Sequence, residues 1–508
     1  MTAFQRHATP TLIAILLTST AAHADVTAQQ VWDDWKTQLG TYGDNAVTVG
    51  SESLANGVLT VSDITVAFSD DTGGMTGDMG DAVFTELGDG TVAVTMSENL
   101  TFAIRSDDGM GTITTMNMTV TQTDLSMLVS GTPEAQEYAI EATRYAFALS
   151  DMATNGTPMQ GDVVFGMNDL SGTYSNDGAA GPMAISYAVD AASLDFLVDV
   201  IDSESGADIN LSGKVEDLSM TADGVIPMDT ITAMGMSEDQ AFPPELAIAA
   251  GYSFGASNFV ISVVEDGMPV DASATIASGE MSLTLDETLI ALDMSTTGLD
   301  IAMNVPPMPV PVTIGLAEYG LGFAMPLAPG EQAQEFGLGF NLTDLVISDE
   351  IWSMMDPGAI LPRDPASILL DLTGTMTVMA NLMDPAAQQD LAMNGTPPAL
   401  PVSLDLNALL VRFGGAEVTG TGAFAFDATD MTTYPGTPLP VGTVDLAING
   451  VNGLMDRLVQ MGLIPDDQVM MGRMMLGMFA VPVGDDMLTS TIEFTPTGGI
   501  LANGNPIQ

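Results

Sequence analysis

The chain has 508 residues, with 66 acidic side chains against 9 lysines and arginines, a formal charge of −57, no cysteine and only two histidines. Nucleic acid and anionic membrane surfaces are set aside as partners, because both need basic patches that so few scattered cations do not supply. Disulfide staples are excluded, and a disordered acidic tail is excluded because 46% of the residues are hydrophobic.

The first residues read as an export signal. Arg6 precedes the apolar run Leu12 to Leu17, and Ala22-His23-Ala24 places small residues ahead of a cut after Ala24. That run is far shorter than the roughly 20 residues of a spanning helix. Residues 1–24 are therefore expected to be a signal peptide, the mature protein to be periplasmic, and no transmembrane segment to remain after signal removal. His7 and His23 leave with the leader, so the mature chain is expected to lack both imidazole and thiol. Repulsion among its acids predicts stability that depends on salt.

Past the cut, Thr27-Ala28-Gln29-Gln30 has the form of a capping box, and Trp32, Trp35 and Leu39 follow at helical spacing. A short N-terminal helix is predicted, with its tryptophans docked on the body. From about Gly57 the apolar period becomes two. Met116, Met118 and Val120 alternate with polar residues, as do Leu194, Phe196, Val198 and Val200, then Met281, Leu283 and Leu285, then Leu299, Ile301, Met303 and Val305. Turn signals are read at Gly88-Asp89-Gly90, Asp107-Asp108-Gly109, Asn176-Asp177-Gly178 and Asp223-Gly224. Prolines at 227, 243 and 244 suggest a boundary, and the run Pro306 to Pro311 suggests an edge segment or stiff connector. Near the C-terminus the helical period returns in Leu454, Leu458 and Met461, then in Met471, Met474, Met475 and Met478, which predicts a helical hairpin near 452–479. The fold class is thus mainly β, with many antiparallel strands in elongated twisted sheets, an N-terminal helix and a C-terminal helical hairpin. A β-rich lobe at 25–240 and a second at 241–508 are expected.

The chemistry is defined mostly by what is missing. Gly251-Tyr252-Ser253-Phe254-Gly255 fits the pattern of a nucleophile elbow, but Ala256 to Val264 reads as strand where that motif needs a helix, and no histidine base survives maturation. Gly213-Lys214 is followed by Val215, which rules out a phosphate-cradling loop. Asp70, Asp71, Asp78 and Asp81 cluster among glycines without the order of a calcium loop, and read as a solvated acidic turn. The 37 methionines fill core gaps or line an adaptable groove for apolar ligands; both readings stay open.

The stretch Ile351-Trp352, Asp356-Pro357, Leu361-Pro362-Arg363-Asp364-Pro365 and Asp371-Leu372-Thr373-Gly374 resembles an uncharacterised Gram-negative family, domain-of-unknown-function family 2125, and Val31-Trp32-Asp33-Asp34-Trp35 is similar to that family's start. The ending Gly499 to Ile507 is similar to the closing strand of AsmA-like envelope proteins. That resemblance implies an elongated β-sheet and lipid handling. No catalytic, cofactor or metal residues are implied. Asp356, Pro357, Leu361, Pro362, Arg363, Asp364 and Pro365 are assigned a structural role, with Arg363 expected to pair with Asp356 or Asp364 and hold a proline-fixed loop. The expected function is non-catalytic: a periplasmic envelope protein with an apolar β-groove that binds or moves a lipid or other amphiphile. The alternative is an acidic structural or interaction protein stabilised by salt or calcium. An enzyme working through carboxylates is a third reading.

Overall fold

The computed structural model describes residues 26–40, 46–70, 72–177, 183–201, 206–226, 246–265, 267–304, 311–393 and 397–507. The leader and the run 227–245 lie outside these, as do Pro306 to Pro309 and Asp71.

Period-two patterning has one dominant outcome here, a continuous 28-stranded sheet in which strand pairs are antiparallel. From Ala135–Thr154 the ladder proceeds through Gln160–Asp177, Met183–Ile201 and Asp208–Ile226. It then forks. Asp208–Ile226 bonds Ala247–Phe254 along one half and Ser257–Glu265 along the other. These pair with Ser278–Leu285 and Met268–Ile276, and both branches rejoin on Leu289–Asn304. The meander continues through Val312–Pro326, Gln334–Ile347, Ala366–Val378, Ala399–Phe413, Ala416–Asp427 and Leu439–Asn449 to Met487–Phe494. The hydrogen-bonded ladder joins strands on both sides of the run 227–245, and the expected lobe border at 240 lies outside the described residues.

Two-residue hairpins explain much of this connectivity. Asn56-Gly57, Asn155-Gly156 and Asn503-Gly504 each have positive φ at both positions, the geometry whose twist matches the flanking strands. One expected turn is corrected: Asp223-Gly224 lies inside Asp208–Ile226, where the Ser186 hydroxyl donates across the ladder to Asp223 at 2.6 Å. Local turn propensity loses there to pairing on both sides. Asn176 and Asp177 end the strand Gln160–Asp177, and Gly178 of that expected turn lies outside the described residues.

Helix α1 (Ala28–Gly40) begins with the predicted box: the Thr27 N–H donates to Gln30 Oε1 at 2.9 Å and the Gln30 N–H to Thr27 Oγ1 at 3.3 Å. Its tryptophans dock as expected. Trp32 is buried against Phe84 and donates from its indole to Glu52 at 2.8 Å, while Trp35 meets Phe84 edge-on. With Leu59, Val61, Val92, Val94, Val129 and Tyr138 they form the main buried cluster. Three further helices bear on the site: α2 (Asp349–Met355) and the hairpin α3 (Val451–Gln460) and α4 (Asp466–Phe479). No helix among the described residues is long and apolar enough to cross a membrane.

Candidate functional site

Residues paired across a ladder share a face of the sheet, so registers show how each face is composed. One row starts at Val92 and passes through Tyr138, Tyr187, Leu283, Leu338 and Val444 to Ala502; every member is apolar, tyrosine or glycine. Its sixteen strand-to-strand steps of roughly 4.8 Å make a path of about 75 Å along the sheet. A second row on the same face runs from Val47 through Phe102, Leu149, Val198 and Ile261 to Val312, again all apolar or glycine.

Between these rows the alternation slips by one. Apolar residues step by three from Val61 to Ile64, Ala142 to Tyr145, Met167 to Leu170, Ala191 to Leu194, Val215 to Leu218, Leu316 to Tyr319 and Leu342 to Leu345. Asp63, Asp169, Asp217, Gly298 and Asp344 occupy this seam with left-handed backbone, φ between 48° and 61°. The extra residue in each strand keeps both halves presenting their apolar side chains to the same face. The result is a crease crossing the strands. Side chains beside it are buried although the sheet is one layer thick: Val215 is 6% exposed, Leu218 5% and Ala191 4%. Among the described residues these strands are in contact chiefly with the strands they bond, so burial of this kind points to two half-sheets that lean together over the apolar face. Away from the crease that face is open. Phe165 and Met281 are each 41% exposed, and Ile261 and Leu338 are close behind.

Aromatic rings floor the trough. Phe165, Phe196 and Phe259 follow one another at 6.0 Å centroid spacing. Phe196 can lie across the neighbouring strand because position 213 is glycine; a Cβ there would sit 2.7 Å from the ring and 2.8 Å from the Asn258 carbonyl oxygen. Phe254 lies over Gly279 in the same manner.

The opposite face carries the polar ties. Arg144 grips Asp195 with two parallel bonds of 2.8 Å and donates to Asn168 at 2.6 Å, joining three strands at the crease. The guanidinium holds the Asp195 carboxyl below its ordinary range. Further along, Arg412 donates to Asp344 at 2.6 Å and to Ser367 at 3.0 Å.

Helices stand over the apolar face at both ends. At one end α1 covers Leu59, Phe84 and Val94. At the other the Phe479 carbonyl at the end of α4 accepts from Ser490 at 2.5 Å and from Asn503 at 2.9 Å; Ser490 belongs to an apolar-face row with Leu409 and Leu446.

The predicted loop supports this second end. Asp356, 1% exposed, ends α2 and accepts from the Leu361 N–H at 2.7 Å; the Ile360 and Leu361 amides hold its carboxyl below the ordinary range. Leu361 is buried and Pro362 half-buried, both against the glycine pair Gly414-Gly415 that turns one hairpin, while Trp352 stacks on Phe413 at 6.3 Å. Pro357, Asp364 and Pro365 are exposed. The expected partner of Arg363 is corrected: it pairs with Asp349 in the first turn of α2. Asp356 is already engaged by backbone amides, and the bidentate geometry expected at Arg363 occurs at Arg144 instead.

The expected acidic turn is corrected: Asp78 and Asp81 lie within the strand Gly73–Glu86, where Asp78 accepts from the Gly80 N–H and Asp81 from the Asp63 N–H, so both carboxylates shape backbone. Ser253 of the G-x-S-x-G stretch is in a strand and is followed by Ser257–Glu265, another strand. Among the described residues no cluster of three or more Asp or Glu is placed to hold a metal ion.

Residues 257–496 match the model of DUF2125, a family described as an uncharacterized protein conserved in bacteria. No curated protein and no solved structure matches the chain.

Proposed function

Starting from a chain that carries a DUF2125 region, we propose a non-catalytic periplasmic envelope protein whose apolar trough holds a lipid or other amphiphile. One observation carries the reading: an apolar row about 75 Å long over which the described residues place no second layer between its helical ends. A soluble monomer rarely leaves so large an apolar surface to water, and such surfaces mark binding sites. Acyl chains suit it better than a rigid ligand, since the floor offers flat rings, leucine and methionine with few polar groups to fix an orientation. The similarity of Gly499 to Ile507 to the ending of AsmA-like proteins points the same way.

Native mass spectrometry of protein purified from its own envelope tests this. Adducts of amphiphile mass are expected. Replacing Leu283 and Leu338 by aspartate would put two charges in the floor and strip the adducts, whereas Asn210→Asp on the polar face would leave them. Protein that stays free of adducts across several mild preparations refutes the trough.

A further inference from the structure

Helix α4 presents an apolar surface that the trough does not use. At 100° per residue, Met470, Met474, Met478, Met471 and Met475 fall within an arc of about 140°. Val469 lies on the other side and is buried. The five methionines are all more than half exposed, from 51% to 70%. Leu463 in the α3–α4 turn and Val481 and Val483 in the strand after α4 extend the patch. Core filling does not account for side chains that touch so little.

We propose that this methionine face is where the protein docks on the surface of a zwitterionic lipid bilayer, bringing the end of the trough to the source of its cargo; the proposal rests on the trough reading and adds its site of exchange. Three observations select the occupant. The patch adjoins the trough, because α4 ends at Phe479, whose carbonyl is bonded to Ser490 on the apolar face. Its charge excludes attraction to an anionic surface: Asp466 and Asp467 open the helix, and its one cation, Arg473, is tied to Asp456 at 2.7 Å and to Asn452. A second copy of this chain is disfavoured because −57 would meet −57. What remains is a neutral, deformable apolar boundary, into which a helix lying in the plane sinks its nonpolar side. Methionine suits that role, as its unbranched side chain adapts to a disordered partner. At 14 residues, α4 is about 21 Å long and cannot span a bilayer.

The test is flotation of the full mature chain with phosphatidylcholine vesicles. Wild-type protein is expected to float with the vesicles, and doping them with phosphatidylglycerol at low salt to weaken flotation. Changing the five methionines together to glutamine, a good helix former, is expected to reduce flotation about tenfold while the circular dichroism spectrum and the co-purified amphiphile are retained. Wild-type protein that fails to float, or a variant that floats equally well, overturns the proposal, as does a dimer in sedimentation that the same five changes abolish. Methionine-dependent flotation of protein that never carries an amphiphile would sink the trough reading and leave the docking face standing.

Discussion

Removing a single residue from the crease should do as much damage as removing a large buried side chain elsewhere. Asp217 is exposed, its backbone is left-handed at φ 51°, and it separates Val215 from Leu218, both buried on the apolar face. Deleting it leaves Val215, Leu218 and Met220 alternating by two on the apolar face, but the neighbouring strand keeps its own extra residue between Ala191 and Leu194, so the ladder from Ala191–Leu218 onward must bulge or fall out of register by one. Lost or distorted ladder bonds and the polar groups left without partners make the loss about 2 to 4 kcal/mol. Substitution separates backbone from side chain. Asp217→Gly keeps the left-handed conformation accessible and should stay within about 1 kcal/mol of wild type, whereas Asp217→Val should lose about 1 to 2 kcal/mol. Urea unfolding followed by far-ultraviolet circular dichroism reads all three. If valine is tolerated as well as glycine, and the deletion unfolds at the wild-type urea concentration, the crease does not depend on its extra residue and the argument fails.

Further outcomes follow from the charges and the loop. Raising sodium chloride from 0.05 M to 1 M should raise the melting temperature, because the Debye length shrinks from over 10 Å to about 3 Å and relieves the repulsion of a −57 chain; an unchanged or falling temperature contradicts this. The Asp195 carboxyl, held below its ordinary range by Arg144, stabilises the fold fully at pH values above its unfolded pKa and loses that contribution as the pH falls through its lower folded value. Arg144→Gln should therefore destabilise at pH 7 and lose less of its remaining stability on acidification than wild type, as pH-dependent urea midpoints would show. Arg363→Ala should cost at most about 1 kcal/mol, because its pair with Asp349 is solvent-facing, while Leu361→Ala should cost about 2 to 4 kcal/mol; thermal melts that reverse this order would show that the loop is held by its ion pair.

Much of this architecture was legible as alternation. Met116 to Val120 and Leu194 to Val200 fall within long strands, and the Thr27–Gln30 box and both helices of the C-terminal hairpin stand where their spacing placed them. The crease was not foreseen, although its signal is in the sequence: an apolar step of three, such as Val215 to Leu218, with an aspartate or glycine inside it. One such step resembles noise. Only the ladder reveals that neighbouring strands slip at matching positions. Arg363 was misassigned because proximity in sequence favours Asp364, whereas packing brings Asp349 from the preceding helix. Methionine spacing foretold α4 but not its orientation, which depends on which side Val469 buries.

A sheet in which strands bond chiefly to the strands on either side has little to tie its distant parts together. Stability then accumulates rung by rung, much as in tandem-repeat proteins, and damage to one rung falls mainly on its immediate neighbours. Unzipping should begin at the two termini of the ladder, where bonding is one-sided. Helix α1 and the α3–α4 pair sit at those termini, so besides bounding the trough they act as clasps against fraying, and clipping either should lower the barrier to unravelling from that side.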